Sequence, residues 1–199
     1  MATLGELKAR IADELTRPDL AAQIALAVTS AIRFYQRRRF SFMDGRSVVF
    51  TSADTEFYTL DDIRQVDSVQ AQDGSRPLRR VSPEWIETMQ TGNAVGQPTD
   101  WSWFGGGLRF YPRPDGVYPL VIYGQAIEEV PTADDYAGAW VNEAEALIRF
   151  RAKADLLANV IRENPEELSL ARAQEAEELT ALLADRARVS TGTVRAHYL

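Results

Sequence analysis

The spacing of apolar residues changes twice along this 199-residue chain, and the change constrains the fold more than any other feature. Near the N-terminus and again beyond Pro131, apolar residues recur every three or four positions, as on one face of a helix. Between residues 41 and 125 they form short runs bounded by Asp, Gly or Ser, which is typical of strands. The pattern predicts an α+β fold with helices at about 3–40 and 134–188 and a β-rich region at about 41–130.

Two helices are predicted before the β-rich region. Thr3 and Glu6 form a capping box at the start of the first helix, whose apolar stripe consists of Leu4, Leu7, Ile11 and Leu15. Pro18 closes this helix. The second helix begins near Asp19 and carries the stripe Leu20, Ile24, Val28 and Ile32, ending in the cluster from Arg33 to Phe40. We expect the two helices to form an antiparallel pair.

Two further helices are predicted after Pro131. A long one is expected from near Asp134 to just before Pro165, with the stripe Leu147, Phe150, Ala154, Leu157 and Ile161. The last begins at Pro165 and carries a sparse stripe of Leu168, Ala171, Leu179 and Leu182. The N- and C-terminal helices are predicted to form an antiparallel bundle with a central antiparallel β-rich insertion, as one domain over residues 1–188.

Residues 189–199 are predicted to be a flexible C-terminal arm. Ser190-Thr191-Gly192 breaks the last helix, and the sequence that follows has little to fold upon. Such a segment is either a frayed end or an arm that orders on a neighbouring subunit.

The stretch "WSWFGGGLRFYPRPDG", residues 101–116, poses the question of phosphate binding. A phosphate loop opens into a helix N-terminus and usually supplies a Lys. Here Gly105, Gly106 and Gly107 lead into Leu108 to Tyr111, a strand-like run without Lys, and then into a Pro-Asp-Gly turn. The stretch therefore predicts hairpins rather than a phosphate site. In the next strand both faces are apolar up to Tyr123, which suits burial on two sides or burial of one side in a partner.

Residue usage leaves little room for catalysis. The chain has no Cys and a single His, His197, so thiolate chemistry, Cys-ligated zinc and a histidine-based triad are not expected. Adjacent carboxylates usually mark helix starts and solvated faces, although a glycosidase needs only two that face each other. They occur at Asp61-Asp62, Glu128-Glu129, Asp134-Asp135, Glu166-Glu167 and Glu177-Glu178. We predict no catalytic, cofactor or metal site, and we expect neither a secretory signal nor a membrane span.

Charge is distributed unevenly along the chain. The formal net charge is −7, with +1 in residues 1–80 and −8 in residues 81–199. A protein that binds nucleic acid is more often basic overall, because neutralisation of the phosphates supplies most of its affinity. The run Arg37-Arg38-Arg39 is therefore interpreted as a surface or subunit contact, with DNA contact as the alternative.

Five segments, taken in order, resemble the head-to-tail adaptor proteins of tailed bacteriophages, the group related to the tail accessory factor of short-tailed phages. The resemblance spans Thr3 to about Arg188, and Met43-Asp44-Gly45 departs from it. The segments are "TLGELKARIADELTRPDL", "AIRFYQRRRFSF", "RRVSPEWIETM", "GQPTDWSWFGGGLRFYPRPDGVYPLVIYG" and "WVNEAEALIRFRAKADLLANVIRENPEE". None is diagnostic alone, and it is their order that is specific.

The resemblance implies a structural role in the neck of a virion assembled in the host cytoplasm. Such adaptors form a ring, commonly twelvefold, beneath the portal protein, and genomic DNA passes through its lumen without sequence-specific binding. The C-terminal segment would reach onto the portal, and the β-rich part would face a tail or nozzle protein. A tail-associated peptidoglycan hydrolase and a DNA-binding assembly factor remain the alternatives. The candidate partner-binding residues are Arg37, Arg38, Arg39, Tyr123, Arg186, Arg188, Arg195, His197, Tyr198 and Leu199.

Overall fold

The protein is an α+β protein. A computed structural model describes residues 2–74, 76–162 and 164–190, with the side chains of 188–190 left out. The described residues form six α-helices and two β-sheets. The chain divides into two compact units, Met1–Phe42 with Glu128–Leu199, the helical unit, and Met43–Ile127, the β unit.

The first two helices of the helical unit follow the predicted pattern. Helix α1 (Leu4–Leu15) begins with the predicted capping box, in which the Glu6 amide donates to Thr3 Oγ1 at 3.2 Å and the Thr3 amide donates to Glu6 Oε2 at 2.9 Å. A 3₁₀ turn at Pro18–Leu20 leads into α2 (Ala21–Tyr35). The predicted apolar stripes of both helices are buried.

The C-terminal part differs from the prediction, because the described residues between Asp134 and Pro165 do not form one continuous helix. A short α4 (Ala139–Asn142) precedes α5 (Glu145–Leu156), which continues into a π-helical segment, Leu157–Ile161. The carbonyls of Asp134 and Tyr136 accept the amides of Gly5 and Leu4, at 2.8 and 2.9 Å. They thus satisfy the first unpaired donors of α1 instead of starting a helix of their own.

Helix α6 (Pro165–Ser190) begins at the predicted proline and packs against α5. Helix α5 also packs against α2 and α1. Ala171 of the predicted α6 stripe is buried, whereas Leu168, Leu179 and Leu182 are half-buried. The helix is therefore only partly covered by the rest of the chain.

The β unit contains two sheets. The first has the order β1 (Asp44–Phe50), β7 (Pro119–Ala126) and β3 (Ile63–Ala71), and both pairings are antiparallel. The second has the order β2 (Phe57–Thr59), β6 (Gly107–Tyr111), β5 (Asp100–Phe104) and β4 (Arg79–Arg80). Its β4–β5 pairing is parallel, unlike the antiparallel arrangement that we predicted throughout.

One buried cluster joins residues of both sheets. Trp101, Leu108 and Phe110 from the second sheet share it with residues of the first, among them Val66, Val69, Leu120 and Ile122. Helix α3 (Pro83–Gln90) packs on β5 and β6, and Ser82 caps its N-terminus, with Ser82 Oγ accepting from the Trp85 amide at 3.2 Å.

Candidate interaction surfaces

The predicted arginine run lies just beyond α2 rather than on it. The helix ends at Tyr35, and the Arg38 amide donates to the Tyr35 carbonyl at 2.9 Å in the turn that follows. The turn is fixed by Gln36, whose side chain donates to the Glu128 carbonyl at 2.6 Å, and by the burial of Phe40. As a result Arg37 and Arg38 are exposed and Arg39 is half-buried.

An aromatic and acidic cluster lies beside this turn. The Arg151 guanidinium lies 4.1 Å from the ring centroid of Phe34, which is partly exposed, and 3.1 Å from a carboxylate oxygen of Glu175. Tyr35 also donates to Glu175. Burial, and then the hydrogen bond to the Glu175 carboxylate, raise the pKa of the Tyr35 hydroxyl well above its usual range. The carboxylate makes this a mixed surface, unlike the continuous basic stripe of most DNA-binding proteins.

Tyr123 lies on the central strand of the first sheet. Leu120, Val121 and Ile122 are all buried, which agrees with the predicted burial on both faces, but Tyr123 is 39% exposed. Its hydroxyl accepts a hydrogen bond from Gln70 Nε2 at 3.3 Å. That Tyr123 meets a neighbouring subunit stays a prediction.

Phe50 lies on the same face of this sheet as Tyr123. Arg46 pairs with Tyr123 and Phe50 pairs with Pro119, and alternate residues of a strand face the same side. Phe50 is 63% exposed, so this face carries an accessible aromatic ring toward each end. Aromatic side chains of this kind are enriched at protein interfaces. Phe50 was not among the predicted contact residues, because an apolar residue in a strand ordinarily belongs to a core.

The remaining predicted contact residues fall at or beyond the end of α6. Arg186 is half-buried, and its Nε atom has no hydrogen-bond partner within the part of the chain that the structure describes. The Arg188 side chain lies outside the described residues, as do Arg195, His197, Tyr198 and Leu199.

Residues of the glycine run and of the acidic pairs have structural roles. Gly105 and Gly106 adopt left-handed conformations, with φ of 61° and 82°, and connect β5 to β6, as the predicted hairpin requires. Among the acidic pairs, Asp134 accepts from Lys8 Nζ at 2.6 Å and Glu167 lies 3.4 Å from Lys153 Nζ. Within residues 2–74, 76–162 and 164–190, no group of three or more His, Asp or Glu side chains could hold a metal ion.

The family model of the SU10 adaptor protein matches residues 2–197, and the chain belongs to that family. The match confirms the resemblance to phage head-to-tail adaptors and identifies a structural adaptor of a phage. A comparison with curated proteins gives no match. Across the described residues, no helix combines the length and apolar character needed to span a bilayer.

Proposed function

We propose that this protein forms a ring under the portal, joins the phage head to the tail and continues the DNA channel. The observation that carries the proposal is the family match, which covers almost the whole chain, residues 2–197. The partners are then the portal protein on one side and a tail or nozzle protein on the other, in the virion neck. A dodecamer is the expected ring, as the resemblance implies.

The fold supports a division of labour between the two units. We propose that the N- and C-terminal helices act as one antiparallel bundle with the β unit as a central insertion, together a single adaptor domain over residues 1–188. The β unit would meet the next tail component through exposed aromatic residues such as Phe50 and Tyr123. Residues 189–199 would serve as the arm that docks on the portal.

The charge of the chain suits a channel. A lumen that shared the net charge of −7 would repel DNA phosphates and let the genome slide without sequence-specific binding. Arg37, Arg38 and Arg39 would then contact protein rather than DNA. The adaptor acts without catalysis and without a cofactor in this proposal.

A phage with a stop codon early in this gene tests the proposed function. Cells infected with it should accumulate DNA-filled heads that carry no tail, and the protein supplied in trans should restore infectious particles. Complete, infectious virions made without the protein would contradict the proposal.

A version that ends at residue 188 tests the arm. It should fold normally but fail to bind the portal. Unchanged portal binding would show that the arm is not needed to bind the portal, and it would leave the adaptor role in place.

A further inference from the structure

Helix α2 presents an exposed stripe on the side away from its buried residues. Leu26 is 69% exposed, although leucine is usually buried in a helix of this kind. Arg33, seven residues later, is also exposed, with exposed Ser30 between them. Seven residues make almost two helical turns, so Leu26 and Arg33 lie on one face. The opposite face buries Ile24, Val28 and Ile32.

Helix α6 presents a stripe with the same spacing. Leu170 is 57% exposed, and exposed Glu177 follows it by seven residues. Exposed Ala173 and half-buried Gln174 lie between them on this face. Both stripes belong to the helical unit, and each places an exposed charged residue seven positions after an exposed leucine.

The two stripes are complementary in charge and in length. Among the residues that the structure describes, neither Arg33 nor Glu177 has a hydrogen-bond or ion-pair partner. Each charge lies about 10 Å along its helix from the exposed leucine, at 1.5 Å per residue. Two such helices laid side by side in parallel therefore bring leucine to leucine and arginine to glutamate.

We propose that α2 of one copy packs in parallel against α6 of the next copy, with Leu26 on Leu170 and Arg33 paired with Glu177. The inference rests on the proposed function, because it takes assembly into a ring as given and names the surfaces that meet. The contact joins two different surfaces of the chain, so every copy keeps one of each available for a further neighbour. Contacts of this head-to-tail kind produce rings when the rotation between copies closes.

Because the chain contains no cysteine, disulfide trapping can test the pairing cleanly. The variant with Leu26→Cys and Leu170→Cys is incubated with the portal, oxidised and run on a denaturing gel without reductant. A disulfide needs Cα atoms within about 7 Å, so a ladder of covalent oligomers is expected.

The matched control combines Leu26→Cys with Leu183→Cys. Leu183 is also exposed on α6 but lies about 20 Å along the helix from Leu170, at 1.5 Å per residue. At least about fivefold less covalent oligomer is expected from the control, because its thiols lie beyond disulfide reach. Equal ladders from the two variants, or none from either when a ring has formed, would overturn the pairing.

A charge exchange supplies a second readout. Arg33→Glu should raise the protein concentration needed to half-saturate the portal about tenfold, because it places two carboxylates opposite each other. Adding Glu177→Arg to the same chain should restore assembly to within about twofold of the unmodified protein. Arg76→Glu, an exposed site in the β unit with the same change in net charge, should have little effect.

Different results would overturn the α2–α6 pairing and the adaptor role. A ring that forms on the portal, with no effect of the charge exchange and no specific cross-link, overturns the α2–α6 pairing and leaves the adaptor role intact. An unmodified protein that never assembles on the portal overturns both.

Discussion

Helices α1 and α6 of the same unit are held in opposite ways. α1 buries Leu4, Leu7, Ile11 and Leu15 along a single face. Among the described side chains of α6, only Ala171 is buried. α6 is positioned instead by half-buried leucines and by polar contacts from Lys153 to Glu167 and from Arg151 to Glu175. The comparison shows that α1 belongs to the core, whereas α6 is a surface helix with area left for a partner.

Truncation of a buried side chain of α1 should reduce the stability of the protein most. Ile11 is fully buried, so Ile11→Ala should lower the free energy of unfolding by about 2 to 5 kcal/mol through lost burial and the cavity left behind. Urea denaturation followed by circular dichroism measures the change. The matched truncation on α6, Leu179→Ala, should cost less than half as much, and equal losses would mean that α6 belongs to the core as α1 does.

The next effect concerns the polar docking of α6. Glu175→Ala removes the shared acceptor of Tyr35 and Arg151, and leaving such groups without a partner costs about 1 to 3 kcal/mol. In the Glu175→Ala variant, hydrogen exchange should accelerate more for the α6 amides than for the α1 amides. Glu166→Ala, at an exposed position of α6, should change stability by no more than about 0.5 kcal/mol. Equal changes in the two variants would show that the Glu175 contacts do not hold the helix.

The helices show how far sequence reasoning reaches. The start of α1 follows from residues three apart, Thr3 and Glu6, so local chemistry predicts it. The break before α5 depends on carbonyls of Asp134 and Tyr136 that bind amides at the far end of the chain, and no local pattern reports such a contact. The placement of β7 between β1 and β3 is non-local in the same way.

The candidate surfaces were predictable in part. Arg37 and Arg38 are exposed as their charge suggests, although the helix ends before them. Leu26 and Leu170 lie off the apolar stripes of their helices, so their exposure is predictable from the helical spacing alone. Exposed Phe50 gave no such signal, because its accessibility depends on what else packs on that face of the sheet.

Alkaline pH should weaken the packing of α6 less than the Glu175→Ala substitution does. Folding raises the pKa of the Tyr35 hydroxyl, so this group contributes its full stabilisation below about pH 10, the ordinary tyrosine pKa. The stabilisation is lost as the pH rises above that value, because the unfolded chain ionises first. The free energy of unfolding should fall by about 1 kcal/mol between pH 10 and 11 beyond the fall seen in Tyr35→Phe. If the free energies of unfolding of the two proteins run parallel against pH, the Tyr35 contact does not stabilise the fold.

Substitutions in the exposed stripes of α2 and α6 should change the free energy of unfolding least. Leu26→Ser and Leu170→Ser should each change the free energy of unfolding by no more than about 0.5 kcal/mol, because both side chains are already in solvent. Denaturation of the isolated protein checks this. A loss above about 2 kcal/mol from either change would mean that the stripe stabilises the fold instead of facing a partner.

The adaptor role is tested most directly by the mass of the purified protein in solution, measured by light scattering alone and with its portal protein. We expect a complex in which a ring of adaptor copies is added to the portal, and we expect the portal to promote this assembly. A small oligomer of constant mass that ignores the portal would contradict the adaptor role and return attention to the carboxylate pairs and the arginine run.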